Sequence, residues 1–277
     1  MQSTCCFTEQ VLVDVLELLR CPVCQGSFSL LPESVICTHK HGFDIAKQGY
    51  VNLLTGSTRP GTADTPAMVV ARDDFLAAGY YDPIASRLAD LCGPGQIVGD
   101  AGAGTGFYLA KAIKGVGLAL DVSKHALKRA ARAHPRIGAV AADVWKPLPV
   151  KDNVLDVLLN VFAPRNPGEF ARVLKPGGML VTVTPGPDHL SPLVERLGLL
   201  RVEEDKEGRL AAALGDWFAL AVQDRLGFDV ELGHKAVAEV VGMGPSAWHD
   251  RETRLDALPD PVTVRASVLI TGWRPRG

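Results

Sequence analysis

The sequence predicts an α/β fold in which helices cover a mostly parallel sheet, with a small cysteine- and histidine-rich module in front of it. Three observations support this. Short β-branched runs alternate with helical patterns over residues 96–184, a glycine-rich segment joins the first of these strands to a helix, and metal-ligating residue types cluster within residues 21–41. Such alternation is typical of right-handed crossovers between parallel strands.

Periodicity and breaker residues place the individual elements. Residues 1–20 resemble a short apolar helix, and residues 55–66 form a polar linker rich in glycine and proline. We therefore expect an N-terminal module at residues 1–60 and a larger domain at residues 61–277. The predicted strands of the alternating region are 96–100, 116–121, 138–142, 154–160 and 178–184. The predicted helices are 67–79, 83–92, 106–114, 123–134 and 167–174.

The C-terminal part has a different pattern. Two strand-like runs, Phe218–Leu232 and Val262–Trp273, flank a helical stretch. Strands joined in this way often pair antiparallel at a sheet edge, so the sequence predicts a seven-stranded sheet in total.

Composition excludes several classes of function. The 277 residues carry a formal net charge of -2, so no field of the whole protein would attract nucleic acid, and any such contact needs a local basic patch. No apolar run reaches the ~20 residues that span a bilayer, and the first 20 residues lack the pattern of a signal peptide. We expect a cytoplasmic protein whose cysteines stay reduced.

A metal site is predicted near the N-terminus. Cys21 and Cys24 form a C-x2-C pair, and Cys37 and His41 follow as a C-x3-H pair. Four such ligands within a short window are typical of tetrahedral structural zinc, although small cysteines are also common in cores. His39 is an alternative fourth ligand, with His41 favoured by its spacing. The cysteines without a spaced partner are predicted to be free thiols: Cys5, Cys6 and Cys92.

A glycine-rich loop follows the first strand of the alternating region. Gly102, Gly104 and Gly106 allow a tight turn and close approach of the backbone to a ligand. A loop of this kind also occurs in dinucleotide-binding domains, so it does not identify the ligand alone. Asp100 precedes the first glycine, where its charge suits an ammonium group and would repel a pyrophosphate.

Two further acids end the next two strands. Asp121 is placed to accept both hydroxyl groups of a ribose, and Asp143 is placed to bind an adenine amino group. Asp143 could equally be a helix cap. Together with Asp100, these residues predict that S-adenosylmethionine is the cofactor, and hence a class I Rossmann-like methyltransferase domain.

The ends of the last two parallel strands supply candidate substrate contacts. Asn160 begins a segment ending at Pro164 and Arg165, in the region expected to face the methyl group. We predict that Asn160 holds the Watson–Crick edge of a base. His189 lies at the end of the following strand, where a functional role and an ordinary surface position are equally compatible with the sequence.

The chain resembles the bacterial 23S rRNA guanine-N1 methyltransferases, in particular the Gram-positive branch that includes the tylosin-resistance enzyme. The resemblance covers nearly the whole chain. The matching segments are Cys21–Cys24, Cys37 with His41, Phe43–Leu54, Asp121–Lys124, Ala142–Trp145, Asn160–Pro167 and Met243–His249. One departure is Gly99 before Asp100, where a larger residue is expected on one side of the acid.

The resemblance implies a zinc module that helps to recognise RNA and a larger domain that carries the cofactor. It also implies cofactor contacts at Tyr81, Gly104, Thr105 and His189. The implied reaction is methylation of guanine N1 in a 23S rRNA hairpin near the peptide exit tunnel, contributing to macrolide resistance. No general base is assigned, and a homodimer remains open. We expect that loss of the zinc unfolds the module but spares cofactor binding.

A basic patch is the remaining feature expected of an RNA-binding protein. The basic residues recur along one predicted helix and in the N-terminal module: Lys124, Lys128, Arg129, Arg132 and Arg136, with Lys40, Lys47 and Arg59. The candidate residues for stacking on bases are Trp145, Tyr50, Phe162 and Trp248. A solvated helix face and ordinary core packing are the alternatives. The competing functions are a small-molecule methyltransferase with a zinc cap and an RNA-binding protein without catalytic activity.

Overall fold

The computed structural model describes residues 11–56, 63–199, 205–244, 255 and 257–276. In these residues the strands form a three-stranded sheet in the N-terminal module and one eight-stranded sheet. The small sheet contains β1 (Phe28–Leu30), β2 (Ser34–Cys37) and β3 (Gly42–Asp44). The large sheet contains β4 (Tyr50–Asn52), β5 (Ile97–Ala101), β6 (Val116–Asp121), β7 (Ile137–Ala141), β8 (Leu155–Val161), β9 (Leu174–Pro185), β10 (Phe218–Leu232) and β11 (Val262–Pro275).

The described helices lie mostly between these strands. Their bounds are Pro66–Ala77, Asp82–Asp90, Phe107–Ala112, Lys124–Ala133, Pro167–Val173, Leu193–Leu197, Lys206–Gly215 and His234–Gly242. Proline occupies the first turn of three of them, where the missing N–H has no intrahelical partner to lose. The Thr65 side chain caps the first by accepting from Met68 N at 3.3 Å. No described helix has the length and apolar character needed to cross a membrane.

The large sheet confirms the predicted architecture. Its strand order is β10-β11-β9-β8-β5-β6-β7-β4. β5 to β9 run parallel, while β11 pairs antiparallel with both β9 and β10. The seven predicted strands are therefore present, and the C-terminal pair forms the expected antiparallel edge. β4 is an eighth strand, which comes from the N-terminal module and pairs parallel with β7.

The N-terminal module is built into the large sheet. Besides the β4 pairing, Val15 lies in a helical segment at residues 11–16 and packs directly over Gly138 of β7. A β-bridge joins Leu19 to Val150. Buried side chains of the module belong to the same apolar cluster as strands of the large sheet, so the two parts share a core.

Some of the chain was not predicted or lies outside the description. The short helices Leu193–Leu197 and Lys206–Gly215 have no counterpart in the sequence-based assignment, and neither does the small sheet β1–β3. Cys5, Cys6, Arg59 and Trp248 lie outside the described residues, as do the first ten residues and residues 57–62, half of the predicted linker. Cys92 is buried as a free thiol, as predicted.

Candidate functional site

A cavity of about 330 Å³ opens at the carboxyl ends of the central parallel strands. Ligands of open α/β sheets bind at this edge, because loops diverge there and leave a crevice. Seven of the nine predicted cofactor-binding residues line it: Tyr81, Asp100, Gly102, Gly104, Thr105, Asp121 and Asp143. The other two, Gly106 and His189, lie outside this lining.

The glycine loop follows the course that its sequence predicts. Gly102, Gly104 and Gly106 all have positive φ, between 54° and 83°, which other residues rarely adopt. A Cβ on Gly102 would lie 2.5 Å from the Cβ of Ala163, so the loop after β8 approaches this glycine closely. Gly106 instead precedes the helix Phe107–Ala112 and packs against Ala130. Its role is in the packing of two helices.

Gly99 departs from the expected pattern for a steric reason. A Cβ at this position would lie 2.7 Å from Leu155 Cδ1 and 3.0 Å from Leu158 Cδ1. These leucines of β8 fill the space beside β5, so a larger residue here would displace their side chains.

Asp100 is a buried acid, and no described residue forms a salt bridge with it. Its side chain is 1% exposed, it lines the cavity, and its Oδ1 atom has no hydrogen-bond partner. Burial, aided by the negative charge of Asp121, raises the pKa of Asp100 to about 8. A cation bound beside Asp100 would supply the missing partner, which fits the ammonium group of a methionine moiety.

Asp121 is held by backbone donors at the end of β6. Its Oδ2 accepts from Gly104 N at 2.8 Å and its Oδ1 accepts from Ser123 N at 2.7 Å. Burial raises the pKa of Asp121, although these two N–H groups act in the opposite direction. Each carboxylate oxygen can accept more than one bond, so ribose hydroxyls can still be bound. Asp121 therefore also fixes the glycine loop, a role that the sequence did not reveal.

Asp143 lies at the end of β7 and shapes the loop that follows. Its Oδ1 accepts from Trp145 N at 3.0 Å, which forms a tight turn. No helix follows between β7 and β8, so the alternative prediction of a helix cap is wrong; Asp143 forms this turn and also lines the cavity. Trp145 lines the cavity as well, and the residue is 62% exposed.

The structure gives Asn160 a different role from the predicted contact with a base. Asn160 is fully buried, and its Nδ2 donates to Ala101 O at 2.9 Å and to Pro164 O at 2.8 Å. Both N–H groups are thereby used and Asn160 is not among the residues lining the cavity, while its buried Oδ1 has no hydrogen-bond partner among the described residues. Asn160 instead joins the end of β5 to the loop after β8, and that loop presents Phe162 and Ala163 to the cavity.

His189 contacts the cavity indirectly, through the side chain of Tyr81. The buried Tyr81 hydroxyl lies 3.3 Å from His189 Nε2, and Ser267 N donates to His189 Nδ1 at 3.3 Å. An acceptor role at Nδ1 leaves the proton of a neutral imidazole on Nε2. Burial raises the pKa of Tyr81 far above its ordinary value, so the phenol stays neutral. Tyr81 lines the cavity, whereas His189 lies outside the lining and contacts the Tyr81 hydroxyl.

Sequence reasoning missed a cluster of residues in the cavity lining. Arg72 pairs with Asp64 and donates to Met243 O at 2.9 Å, and all three residues line the cavity. Asp64 O in turn accepts from the Ser123 hydroxyl at 3.2 Å. Charged residues on a helix and beside a linker carry no sequence signal of such a role, because the contacts join segments distant along the chain.

The predicted metal ligands come together in the N-terminal module. The ligand atoms of Cys21, Cys24, Cys37 and His41 all lie within 4.8 Å of one another. The closest pairs are Cys37 Sγ to His41 Nδ1 at 3.3 Å, Cys24 Sγ to Cys37 Sγ at 3.5 Å and Cys21 Sγ to His41 Nδ1 at 3.8 Å. Zinc bonds of ~2.0–2.3 Å in a tetrahedron require separations of about 3.3–3.8 Å, so the donor set fits zinc.

The thiols of this cluster differ in their electrostatics. Burial acts to raise the pKa of the Cys37 thiol, but hydrogen bonds from the N–H groups of His41 and His39 and with the Cys24 and His41 side chains together lower it to about 6, whereas the pKa of Cys24 is raised. Thiolate is the form that binds metal. His39 is exposed and its ring contacts Thr38, so His41 is the histidine of the cluster.

The basic residues divide into paired and exposed ones. Arg129 pairs with Asp73, whereas Lys124, Arg132 and Arg136 are exposed. Lys40 and Lys47 of the N-terminal module are exposed as well. The stacking candidates divide in the same way. Tyr50 is buried in the core, whereas Trp145 and Phe162 are exposed at the cavity.

Two parts of the chain match known families. Residues 19–57 match the zinc-ribbon family described as "RlmA, N-terminal", and residues 99–182 match a methyltransferase domain. The Bacillus subtilis protein YcgJ shares the fold, with a TM-score of 0.50 at 15% identity over 70% of this chain and 98% of its own. The cofactors are therefore S-adenosylmethionine and a zinc ion.

Relatives in sequence cover almost the whole chain. A protein of Streptomyces fradiae named 23S rRNA (guanine(748)-N(1))-methyltransferase is 45% identical over 95% of this chain and 98% of its own length. A protein of Micromonospora griseorubida, named as a 23S rRNA (guanine-N(1)-)-methyltransferase, is 48% identical over 95% of this chain and 99% of its own length. The cavity, the zinc module and these full-length matches agree: the chain belongs to the family of 23S rRNA (guanine-N1)-methyltransferases.

Proposed function

We propose that this enzyme transfers the methyl group of S-adenosylmethionine to N1 of a guanine in a hairpin loop of 23S rRNA, near the peptide exit tunnel and in the cytoplasm. The observation that carries the proposal is the full-length match to relatives named for this reaction. We propose that the zinc module spans residues 1–60 and contacts RNA. Its match to the zinc-ribbon family described as "RlmA, N-terminal" disfavours a small-molecule methyltransferase.

The chain's residues divide the work of binding the cofactor. Asp100 would pair with the ammonium group, Asp121 would accept from the ribose hydroxyls, and Asp143 would bind the adenine amino group. The order of their strands, β5, β6 and β7, matches the order of those groups along the cofactor. When bound, S-adenosylmethionine supplies an electrophilic methyl carbon on a sulfonium.

The transfer forms an N1–methyl bond as the sulfur–methyl bond breaks, and the N1 proton leaves to solvent or a base. The protein's contribution is alignment of the nucleophile with the methyl group. Since N1 lies on the Watson–Crick edge, the target guanine must be unpaired or flipped out of its stack. The closely packed loops after β5 and β8, tied together by Asn160, keep this end of the cavity in one shape.

Proton release should accompany cofactor binding. At pH 7, Asp100 is mostly protonated in the free enzyme because its pKa is about 8, and a bound ammonium group favours the ionised form. Calorimetry at pH 7 in buffers of different ionisation enthalpy should therefore detect the release of up to about one proton per cofactor. Binding should weaken as the pH falls below 8. An Asp100→Asn variant that releases as many protons as the wild type would contradict this assignment.

The methylation itself can be tested by primer extension. Reverse transcriptase should stop at one guanine of 23S rRNA from a host that lacks its own enzyme and expresses this chain. A methyl on N1 removes a donor and adds bulk, so a macrolide packed against that nucleotide should bind less well. A loss of ~1.4 kcal/mol is tenfold in affinity. If reverse transcriptase stops at the guanine but the host remains equally sensitive to tylosin, the proposed methylation is supported and the role in resistance is ruled out.

A further inference from the structure

The strand order places the parts of the cavity along a line. β8, β5, β6 and β7 are consecutive neighbours, so their loops follow one another at about 4.8 Å per strand, or roughly 14 Å in total. Asp143 and Trp145 follow β7, at the end assigned to adenine. Phe162 follows β8, at the opposite end and beyond the acid assigned to the ammonium group. The two exposed aromatic residues of the cavity therefore lie at its two ends.

Phe162 is held in an unfavourable backbone conformation. Its φ is 52°, in the left-handed region that bulky residues rarely adopt. The surrounding contacts impose this conformation. Phe162 N donates to Val183 O at 3.1 Å, and the Asn160 amide donates to the carbonyl oxygen of Pro164, two residues after Phe162. Strained residues of this kind cluster at ligand-binding and active sites.

The ring of Phe162 is also supported from one side. Its centroid lies 5.8 Å from the His189 ring and 6.4 Å from the Tyr81 ring. Phe162 nevertheless remains 40% exposed and lines the cavity. A large apolar surface in a fixed position, open to a ligand and beside the expected methyl group, suits the flat face of a base.

We propose that Phe162 is the residue on which the target guanine stacks during methyl transfer, whereas Trp145 serves the cofactor end of the cavity. The proposal rests on the function proposed above and adds the residue that positions the base. Stacking excludes water from one face of the base and sets its plane relative to the methyl group. His189 and Tyr81 act through Phe162 as its support.

The test compares three single variants on a 23S rRNA hairpin transcript. Phe162→Ala should lower kcat/KM for RNA by roughly 10- to 100-fold, the range found for one lost base-stacking contact. Its dissociation constant for S-adenosylmethionine, measured by calorimetry, should stay within about twofold of the wild type. Trp145→Ala should show the opposite pattern: weaker binding of S-adenosylmethionine and a kcat/KM for RNA close to that of the wild type. Trp217→Ala removes an aromatic residue that is 49% exposed away from the cavity, and should change neither quantity.

Two further variants separate stacking from simple filling of space. Phe162→Tyr should restore most of the activity, and Phe162→Leu, which is apolar without a π-face, should not. A wild-type kcat/KM in Phe162→Ala, or full activity in Phe162→Leu, would overturn the stacking role of Phe162. The proposed methylation would be unaffected, because the wild-type enzyme would still methylate the transcript. Wild-type enzyme that fails to methylate the transcript would refute the proposed function, and the role of Phe162 with it.

Discussion

Cys24→Ser is expected to abolish zinc binding and, contrary to the expectation from sequence, to weaken cofactor binding as well. Structural zinc in small domains contributes ~10–16 kcal/mol, so its loss should unfold the small sheet. β4 leads out of that module and pairs with β7, and Leu53 N donates to Ala141 O at 3.2 Å. The loop that carries Asp143 begins directly after Ala141.

The size of this coupling can be estimated from the contacts. Lys146, within the same loop, donates to Thr55 O at 3.1 Å, so the loop loses this anchor too. A loss of ~1.4 kcal/mol in cofactor binding is tenfold in the dissociation constant. We therefore expect about one zinc per wild-type chain by metal analysis, none in Cys24→Ser, and at least a roughly tenfold weaker S-adenosylmethionine affinity by calorimetry.

Cys92→Ala is the matched control for this experiment. It also removes a buried thiol, but one outside the metal cluster, so zinc content should be unchanged. Wild-type cofactor affinity in a zinc-free Cys24→Ser protein would show that the module is separable, and the pairing of β4 with β7 would then have no role in the cofactor site.

Asp121→Ala is expected to cause the largest loss of cofactor affinity among the acids. Hydrogen bonds to charged groups contribute about 1.5–3 kcal/mol, which corresponds to roughly 10- to 150-fold in the dissociation constant. The effect has two sources. The ribose hydroxyls lose their acceptor, and the N–H groups of Gly104 and Ser123 lose theirs, which loosens the glycine loop.

Two variants define the origin of the effect. Asp121→Asn keeps the shape but directs an NH2 group at one of the two backbone N–H donors, so it should lose most of the affinity as well. Asp90→Ala removes the same charge from a side chain that is 72% exposed, and should leave cofactor binding unchanged. Calorimetry that finds the affinity of Asp121→Ala within twofold of the wild type would remove Asp121 from the site.

The sequence predicted those parts of the site that depend on local pattern. Glycines with positive φ, acids at strand ends and cysteines at short spacing each carry their geometry within a few residues, and Gly102, Asp121 and Cys24 lie where expected. The elements of the parallel sheet were predicted for the same reason, because alternation of strand and helix is visible along the chain.

Contacts between distant segments could not be read in this way. The pairing of β4 with β7 depends on three residues, too few for a periodic signal, and the module therefore seemed separable. Asn160 looked like a substrate contact because its residue type and position fit one. Only the three-dimensional structure shows that the carbonyl groups of Ala101 and Pro164 use both of its donors.

Methylation of N1 on one guanine of 23S rRNA is the reaction that every role assigned to the cavity serves. Its most direct test is mass mapping of nuclease fragments of 23S rRNA from a host without its own enzyme, expressing either the wild type or Asp121→Ala. We expect a gain of one methyl group on a single guanine of one hairpin loop with the wild type, and none or little with the variant. An unmodified hairpin in cells that contain folded, zinc-loaded wild-type protein would contradict it.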